Sequence, residues 1–192
     1  MKLLVLTAPS GAGKTTIARR LMAEVPGLRF SVSATTRPAR AGEVNDVHYH
    51  FLTPQAFSER LAAGEFLEHE EVYPGRLYGT LRPELEALAA RTDVRAVVLD
   101  IDVKGAVNIK RLYGDAARTI FVQPPSLAAL AARLQSRGTE DDERIAERLE
   151  RAEMEIAMAH EFDVVVVNDD LDAAVAETIA HVRTFLDTPA EV

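Results

Sequence analysis

The feature that most constrains the fold lies near the N-terminus, where a short glycine-containing segment joins an apolar run to a helical pattern. The segment is Ala8-Pro9-Ser10-Gly11-Ala12-Gly13-Lys14-Thr15, the apolar run covers Lys2 to Thr7, and the helical pattern begins near Thr16. A strand, a tight loop and a helix in this order let backbone N–H groups converge on phosphate oxygens at a helix N-terminus. Lys14 adds a mobile positive charge, and Thr15 adds a hydroxyl for Mg²⁺. The segment therefore predicts a nucleotide-binding loop, with a glycine-rich turn that holds no ligand as the alternative.

Ala8 departs from the usual form of this loop, which opens with glycine. A residue with a Cβ rarely adopts the positive φ that glycine tolerates. We therefore expect the backbone at Ala8 to have an ordinary, negative φ.

Length, charge and composition limit the classes of fold and partner that this chain can have. A chain of 192 residues is long enough for one core carrying small inserted subdomains, so we expect a single cooperative α/β unit. A net charge of −8 argues against non-specific binding to nucleic acid, which needs a basic surface. Apolar runs stay well below the ~18 residues that cross a bilayer, so no membrane partner is expected. The absence of cysteine excludes disulfides and thiolate metal sites and is consistent with a cytoplasmic location.

Apolar runs alternate with helical patterns along most of the chain. The runs are continuous, as in strands covered on both faces, and the alternation predicts repeated βα units around a parallel sheet. The predicted strands are Leu3–Leu6, Arg29–Val32, Ala96–Ile101, Thr119–Val122 and Val164–Val167. The predicted helices are Thr16–Glu24, Val103–Tyr113, Leu127–Arg137, Glu140–His160 and Leu171–Leu186.

Between Thr35 and Thr92 the pattern changes. Short runs of half-alternating polarity, such as Val47 to Leu52, stand between turn residues, and one helix is predicted from Pro54 to Ala63. This texture predicts a subdomain inserted into the parallel α/β core.

Two groups of arginines are candidates for binding phosphate. Arg37 and Arg40 stand three residues apart in a loop that leaves a strand, with Tyr49 following, which suits a phosphate held by forked and hydroxyl donors. Arg133 and Arg137 lie on one helical face, with Arg148 one helical segment further on, where a mobile element could bring them onto a transferring phosphoryl group. Solvation at the surface is the alternative for both groups.

Two aspartates follow a buried strand. Asp100 and Asp102 stand at the carboxyl end of the run Ala96–Ile101, where parallel sheets bind ligands and where a carboxylate can hold Mg²⁺ through water. The structural alternative is that an aspartate here only caps the next helix.

Several segments, in order, resemble the guanylate kinase family over nearly the whole chain. The matching segments are Ala8–Thr15, Ser33–Glu43, Gly64–Glu68, Leu77–Thr80, Leu99–Asp102, Ser136–Glu140 and Val167–Asp170. The resemblance implies transfer of the γ-phosphoryl group of ATP to GMP, with Mg²⁺, on a three-layer P-loop kinase fold. It also implies a core of about 1–34, 93–125 and 150–192, a GMP-binding region of about 35–92 and a helical lid of about 126–149.

The resemblance also assigns residues to roles. It places ATP on Ala8, Pro9, Ser10, Gly11, Ala12, Gly13, Lys14, Thr15, Thr16 and Asn168. It places GMP on Ser33, Arg37, Arg40, Tyr49, Glu68, Tyr78, Gly79, Thr80, Asp100 and Asp102, of which Ser33, Glu68 and Thr80 would read guanine. Catalysis would fall to Lys14, Arg40, Arg133, Arg137 and Arg148, and the metal to Thr15 and, through water, Asp100.

The chemistry of the bases supports the role that the resemblance gives Glu68. Guanine presents N1–H and an exocyclic amine as adjacent donors, which one carboxylate can accept together. Adenine presents an acceptor at N1 and would leave a buried carboxylate unpaired. Composition alone does not distinguish Glu68 from Glu65, Glu70 and Glu71.

Two other functions stay open on the sequence alone. A related kinase acting on a phosphorylated sugar would share the loop and the arginines, and some guanylate-kinase-like domains bind phosphorylated peptides without turnover. The oligomeric state is also open, because apolar helix faces do not reveal which of them pack against another copy.

Overall fold

A parallel five-stranded sheet forms the centre of the computed structural model, which describes residues 1–136 and 142–188. The strands follow the order β2 (Leu28–Phe30), β7 (Ala96–Asp100), β1 (Lys2–Thr7), β8 (Ala117–Gln123) and β9 (Val164–Val167). Every neighbouring pair is parallel, as the sequence predicts. Because β1 is central, the loop that follows it opens where the strand order reverses, the usual ligand position in such sheets.

Helices cover both faces of this sheet. On one face α1 (Lys14–Glu24) and α7 (Leu171–Asp187) pack in a cluster with alternate residues of the strands. On the other face the cover comes from α4 (Val103–Tyr113) and α3 (Arg82–Ala89). The three-layer α/β arrangement predicted from the sequence is confirmed.

Strand β9 departs from its prediction. Val164 and Val166 are buried, whereas Val165 and Val167 are 37% and 48% exposed. The strand lies at the edge of the sheet and pairs with β8, so the expectation that it is covered on both faces is wrong. A four-valine run does not by itself distinguish a buried strand from an edge strand.

A second, smaller sheet forms between Ala34 and Leu81, where the sequence departs from the alternation of strands and helices. Its order is β4 (His50–Phe51), β3 (Ala34–Thr35), β6 (Arg76–Leu81) and β5 (Phe66–Tyr73), with β6 antiparallel to both of its neighbours. Helix α2 (Pro54–Ala62) closes over it and buries Phe57, whose ring stacks on Phe66 at 4.3 Å. The sequence did not predict α3, a short helix in which only Leu85 is buried.

Two further helices lie over the loop that follows β1. Helices α5 (Leu127–Ser136) and α6 (Asp142–Ala157) share a small apolar cluster that includes Leu130, Leu134 and Ile145. A Cβ on Gly11 would lie 2.9 Å from Leu134 Cδ2, so the loop packs tightly against α5. None of the helices in the described part of the chain combines the length and apolar character needed to cross a membrane.

Candidate active site

A cleft of about 360 Å³ lies where the carboxyl edge of the parallel sheet meets the second sheet and α6. Most of the residues that the sequence singled out line it. They are Ala8, Pro9, Ser10, Gly11, Gly13, Lys14, Thr15, Thr16, Ser33, Arg40, Tyr49, Glu68, Tyr78, Gly79, Asp100, Asp102 and Arg148. Ala12, Arg37, Thr80, Arg133 and Asn168 are not among the lining residues, and Arg137 lies outside the described residues.

The loop after β1 has the backbone of an anion cradle. Gly11 and Gly13 have φ values of 95° and 102°, which residues with a Cβ rarely adopt. Helices α2, α4 and α7 begin with a side-chain cap. The N-cap residue of α1 is Gly13, which has no side chain to cap with, so the first N–H groups of α1 are left for a ligand. Ala8 is not among the positive-φ residues, as expected.

Asn168 supports this loop from behind. Its side-chain amide donates to the Ala12 carbonyl at 2.7 Å, and a Cβ on Gly13 would collide with that amide. Arg133 in turn donates to the Asn168 carbonyl at 2.9 Å. Both residues therefore touch the loop or its support rather than the open cleft.

Lys14 and Asp100 form an ion pair at the floor of the cleft. Burial alone would lower the pKa of Lys14, but the Asp100 carboxylate, with smaller contributions from Tyr49 and Glu155, outweighs burial and raises it. Lys14 is therefore a cation at neutral pH. Thr15 is exposed to the cleft close by, so hydroxyl and carboxylate oxygens, the ligands that Mg²⁺ prefers, stand together beside the cradle.

Arg37 is held on the second sheet by Glu43. The guanidinium is 6% exposed and donates to both carboxylate oxygens, at 2.7 and 2.9 Å, while lying 5.1 Å from the centre of the Tyr49 ring. This pairing lowers the pKa of Glu43 to about 2, so the carboxylate is ionised throughout the neutral range. Arg40, by contrast, is exposed and faces the cleft, and its backbone N–H donates to Glu43 at 2.6 Å.

Glu68 is the buried acid of the opposite wall. The Thr80 hydroxyl donates to its Oε1 at 2.6 Å, so Thr80 lies one layer behind the surface of the cleft. Burial raises the pKa of Glu68 to about 7, with Asp102 adding to the rise and the Thr80 hydrogen bond opposing it. Ser33, which is also buried, lines the cleft with it.

Asp102 caps helix α4, which was the structural alternative to a ligand-binding role. Its carboxylate caps α4 by accepting the Lys104 and Gly105 N–H groups at 2.7 and 3.1 Å. The same residue lines the cleft, so capping does not remove it from the site. Asp100, paired with Lys14, has no such capping role.

Arg148 approaches the loop from α6. Its guanidinium donates to the Ser10 hydroxyl, which places a second cation, besides Lys14, at the loop. The sequence predicted Arg133, Arg137 and Arg148 around a transferring phosphoryl group. Arg148 lines the cleft, Arg133 contacts Asn168 behind the loop, and Arg137 lies outside the described residues, so this role stays a prediction.

Comparison with known proteins now identifies the family. A family model described as guanylate kinase matches residues 1–188. The chain belongs to the guanylate kinase family. A guanylate kinase of Salinibacter ruber is 56% identical over 186 residues, covering 97% of both chains, and one of Chlorobium luteolum is 49% identical over 188 residues, covering 97% of this chain and 93% of the other. A crystal structure of guanylate kinase from Anaplasma phagocytophilum superimposes with a TM-score of 0.80 at 30% identity, over 97% of this chain and 87% of that one.

The resemblance of this chain to guanylate kinases is therefore confirmed, but the sequence reasoning missed part of the cleft. Arg151 and Glu155 line it together with Val72 and Tyr73 of β5. Arg151 pairs with Glu155 at 2.8 Å, lies over the Tyr73 ring at 5.0 Å and donates to the Val72 carbonyl. The spacing of Arg148, Arg151 and Glu155 on one helical face was a signal that could have found them.

Proposed function

We propose that this chain transfers the γ-phosphoryl group of ATP to GMP, giving ADP and GDP, with the residues of the cleft in the roles given below. One observation carries the assignment. A phosphate cradle with Lys14 faces a buried carboxylate, Glu68, across one cleft in a chain of the guanylate kinase family. The cradle suits the donor nucleotide, and the wall with Glu68 suits the acceptor base.

The acceptor needs no general base. A phosphate monoester has a second pKa near roughly 6, so the attacking oxygen of GMP is largely deprotonated at neutral pH. The barrier comes instead from repulsion between two anions and from charge spread over the transferring group. Positioned cations are therefore the catalyst.

The loop after β1 and the two helices that lie over it supply those cations. The uncapped N–H groups of α1 hold the donor phosphates, and Lys14 moves from Asp100 to a phosphate oxygen when ATP binds. Arg148 already reaches the loop at Ser10 and adds charge to the transferring group. Arg133 keeps the loop in place through Asn168, and Arg137 is proposed beside the same group on the family pattern alone.

Mg²⁺ fits the oxygen ligands at this edge of the sheet. Thr15 would hold it directly and Asp100 through water, together with the phosphates of ATP. When bound, the ion would offset the charge of the donor phosphates.

The second sheet holds GMP. Arg40, Tyr49 and Tyr78 face the cleft and suit the phosphate, and Arg37 stands directly behind Tyr49. Glu68 in its ionised form accepts guanine N1–H and the exocyclic amine. Ser33 and Gly79 line the base pocket beside it, and Thr80 supports the carboxylate from behind. Asp102 lies beside Glu68 at the same wall.

The division into a core, a GMP-binding region and a lid belongs to this proposal. The second sheet approaches the loop from a separate part of the chain, so closure of the two around both nucleotides would exclude water from the transfer. A cytoplasmic location stays a prediction from the cysteine-free sequence.

Coupled turnover assays with GMP, AMP, CMP and UMP test the proposal. We expect kcat/KM for GMP to exceed that for AMP by about 10²-fold or more, because a site built to hydrogen-bond one base rejects its analogue strongly. Glu68→Gln is expected to lower this ratio by at least about tenfold. Glu65→Gln, one residue before the same strand and outside the lining of the cleft, is the control and should leave the ratio unchanged. Comparable rates with AMP in the unmodified protein would remove the guanine-reading role of Glu68.

A further inference from the structure

Helix α4 lies close to Glu68 at Gly105. A Cβ added to Gly105 would lie 2.7 Å from Glu68 Oε2 and 3.4 Å from its Cδ. Carbon and oxygen atoms in contact normally stand further apart than the first of these distances. The absence of a side chain at Gly105 is therefore what leaves room for the carboxylate in its present place.

The backbone gives no reason for a glycine at this position. Gly105 lies in the first turns of α4 and is not among the residues with a positive φ. Glycine is a poorer helix former than alanine, because it loses more conformational freedom when it folds. Gly105 is buried, and a buried glycine that no backbone conformation requires indicates close packing with a neighbour. The nearest neighbour is Glu68, and Ile101 lies at ordinary contact distance.

Two neighbours limit where the Glu68 carboxylate can stand. The Thr80 hydroxyl donates to Oε1 at 2.6 Å, and Oε2 lies against Gly105. The start of α4 is itself held by Asp102, which accepts the Gly105 N–H at 3.1 Å. The second sheet and the core therefore meet at this carboxylate.

We propose that Gly105 is a positioning residue for nucleobase selection: its missing side chain sets where the Glu68 carboxylate stands and so how well it accepts the two donors of guanine. The inference rests on the proposed function, since it takes Glu68 as the residue that reads the base. Neither the fold nor the phosphoryl transfer depends on Gly105 in this account.

A Cβ at Gly105 should weaken the binding of guanine without affecting the phosphate loop. The carboxylate stands at the end of a side chain with rotatable bonds, so we expect it to shift by several tenths of an ångström while the helix keeps its place. Hydrogen bonds weaken steeply as their distance and angle leave the preferred range, so the displaced carboxylate should bind guanine poorly. The three atoms nearest to a Cβ at Gly105 belong to Glu68 and Ile101, so Lys14 and the loop after β1 should keep their function.

Gly105→Ala tests this directly. We expect kcat/KM for GMP to fall about tenfold, mainly through KM, with little change in the activity with AMP. ATP affinity should be unchanged, and the thermal midpoint should be unchanged or higher, because alanine favours the helix. Asn108→Ala, at an exposed position of the same helix, is the matched control and should leave GMP turnover unaltered.

A double-mutant cycle with Glu68→Ala separates this inference from the proposed function. We expect Gly105→Ala to have almost no further effect on GMP turnover once the carboxylate has been removed. An equal loss from Gly105→Ala in both backgrounds would mean that the glycine acts on the structure and not through Glu68, and would overturn the inference. If Glu68→Ala lowers GMP selection but Gly105→Ala does not, the inference fails and the proposed function stands. If Glu68→Ala leaves selection unchanged, both fail.

Discussion

The parallel sheet and the second sheet are held together by different forces. Central strand β1 buries Leu3, Leu4, Val5 and Leu6 completely. In the second sheet β3 and β4 have two residues each, and polar contacts supply much of the connection. His50, for example, lies 2.7 Å from Asp46 and 2.6 Å from Glu84, and Thr35 and Thr36 bond to the backbone of Leu77 at 2.9 Å.

This difference matches a division of labour. Apolar burial is strong and nearly independent of pH, so it suits the frame that holds the phosphate loop. Charged and hydrogen-bonded contacts are directional and sensitive to protonation, so they suit the region that must recognise one base and one phosphate. We therefore expect substitutions in the phosphate loop or among the buried residues of the parallel sheet to change turnover or global stability. Substitutions in the second sheet, or at Gly105 where α4 lies close to it, should change the binding of GMP.

The largest expected effect belongs to the core. Lys14→Met removes a cation at the transferring phosphoryl group and should lower kcat by about 10³- to 10⁵-fold, with GMP affinity changed only slightly. Steady-state kinetics and GMP calorimetry measure the two quantities. Lys104→Met, at an exposed lysine outside the lining of the cleft, is the control and should be nearly as active as the unmodified protein. A parallel loss of GMP affinity would show that the two regions do not divide the work.

A pair of buried aromatic residues compares the two sheets directly. Phe121 in β8 and Phe57 in α2 are both completely buried, and replacing either by alanine typically costs about 3–5 kcal/mol. We expect Phe121→Ala to lower hydrogen-exchange protection throughout the molecule. Phe57→Ala should loosen mainly the second sheet, with loss of GMP binding and retention of ATP binding. Equal loss of protection everywhere in both variants would mean that the second sheet is no separate unit.

Burial of the Glu68 carboxylate should lower the free energy of unfolding at and above neutral pH. The folded pKa of Glu68 is raised from 4.5 to about 7, so the unfolded chain releases this proton first as the pH rises. The free energy of unfolding therefore falls between pH 4.5 and 7, and the full cost is present above pH 7. Glu68→Gln should be more stable than the unmodified protein at pH 8 by on the order of 1 to 3 kcal/mol and about equal at pH 4. Urea unfolding at both pH values measures this, and an advantage of the same size at pH 4 would rule out titration as its cause.

The smallest expected effect concerns Glu43. Its carboxylate orients Arg37 and the Arg40 backbone, so Glu43→Gln should raise the KM for GMP by about three- to tenfold with kcat nearly unchanged. Initial rates at varied GMP concentration check this. A lower KM would mean instead that Glu43 competes with the GMP phosphate for Arg37.

The same contrast explains what the sequence could predict. Continuous apolar runs revealed the parallel strands, and the glycines before Lys14 revealed the loop, because both signals are local. The pattern did not reveal α3, with its single buried Leu85, or the exposed face of β9, since exposure at an edge depends on the strand order.

The candidate site was only partly accessible from the sequence. Glu68 could be singled out only through the family resemblance. Its burial and its hydrogen bond with Thr80 depend on the pairing of β5 with β6, which the local sequence does not reveal. Nothing in the sequence indicated a role for Gly105, because its closeness to Glu68 arises only when helix α4 packs against strand β5.

The most direct test of the account is calorimetry of GMP binding, without ATP, between pH 5.5 and 8.5, for the unmodified protein and for Glu68→Gln. The GMP phosphate titrates in both experiments, so the difference between the two profiles isolates Glu68. We predict that affinity in the unmodified protein falls more steeply as the pH drops through about 7, because protonation removes an acceptor for guanine, and that this extra loss is missing in the variant. Identical profiles for the two proteins would contradict the claim that this carboxylate selects the base.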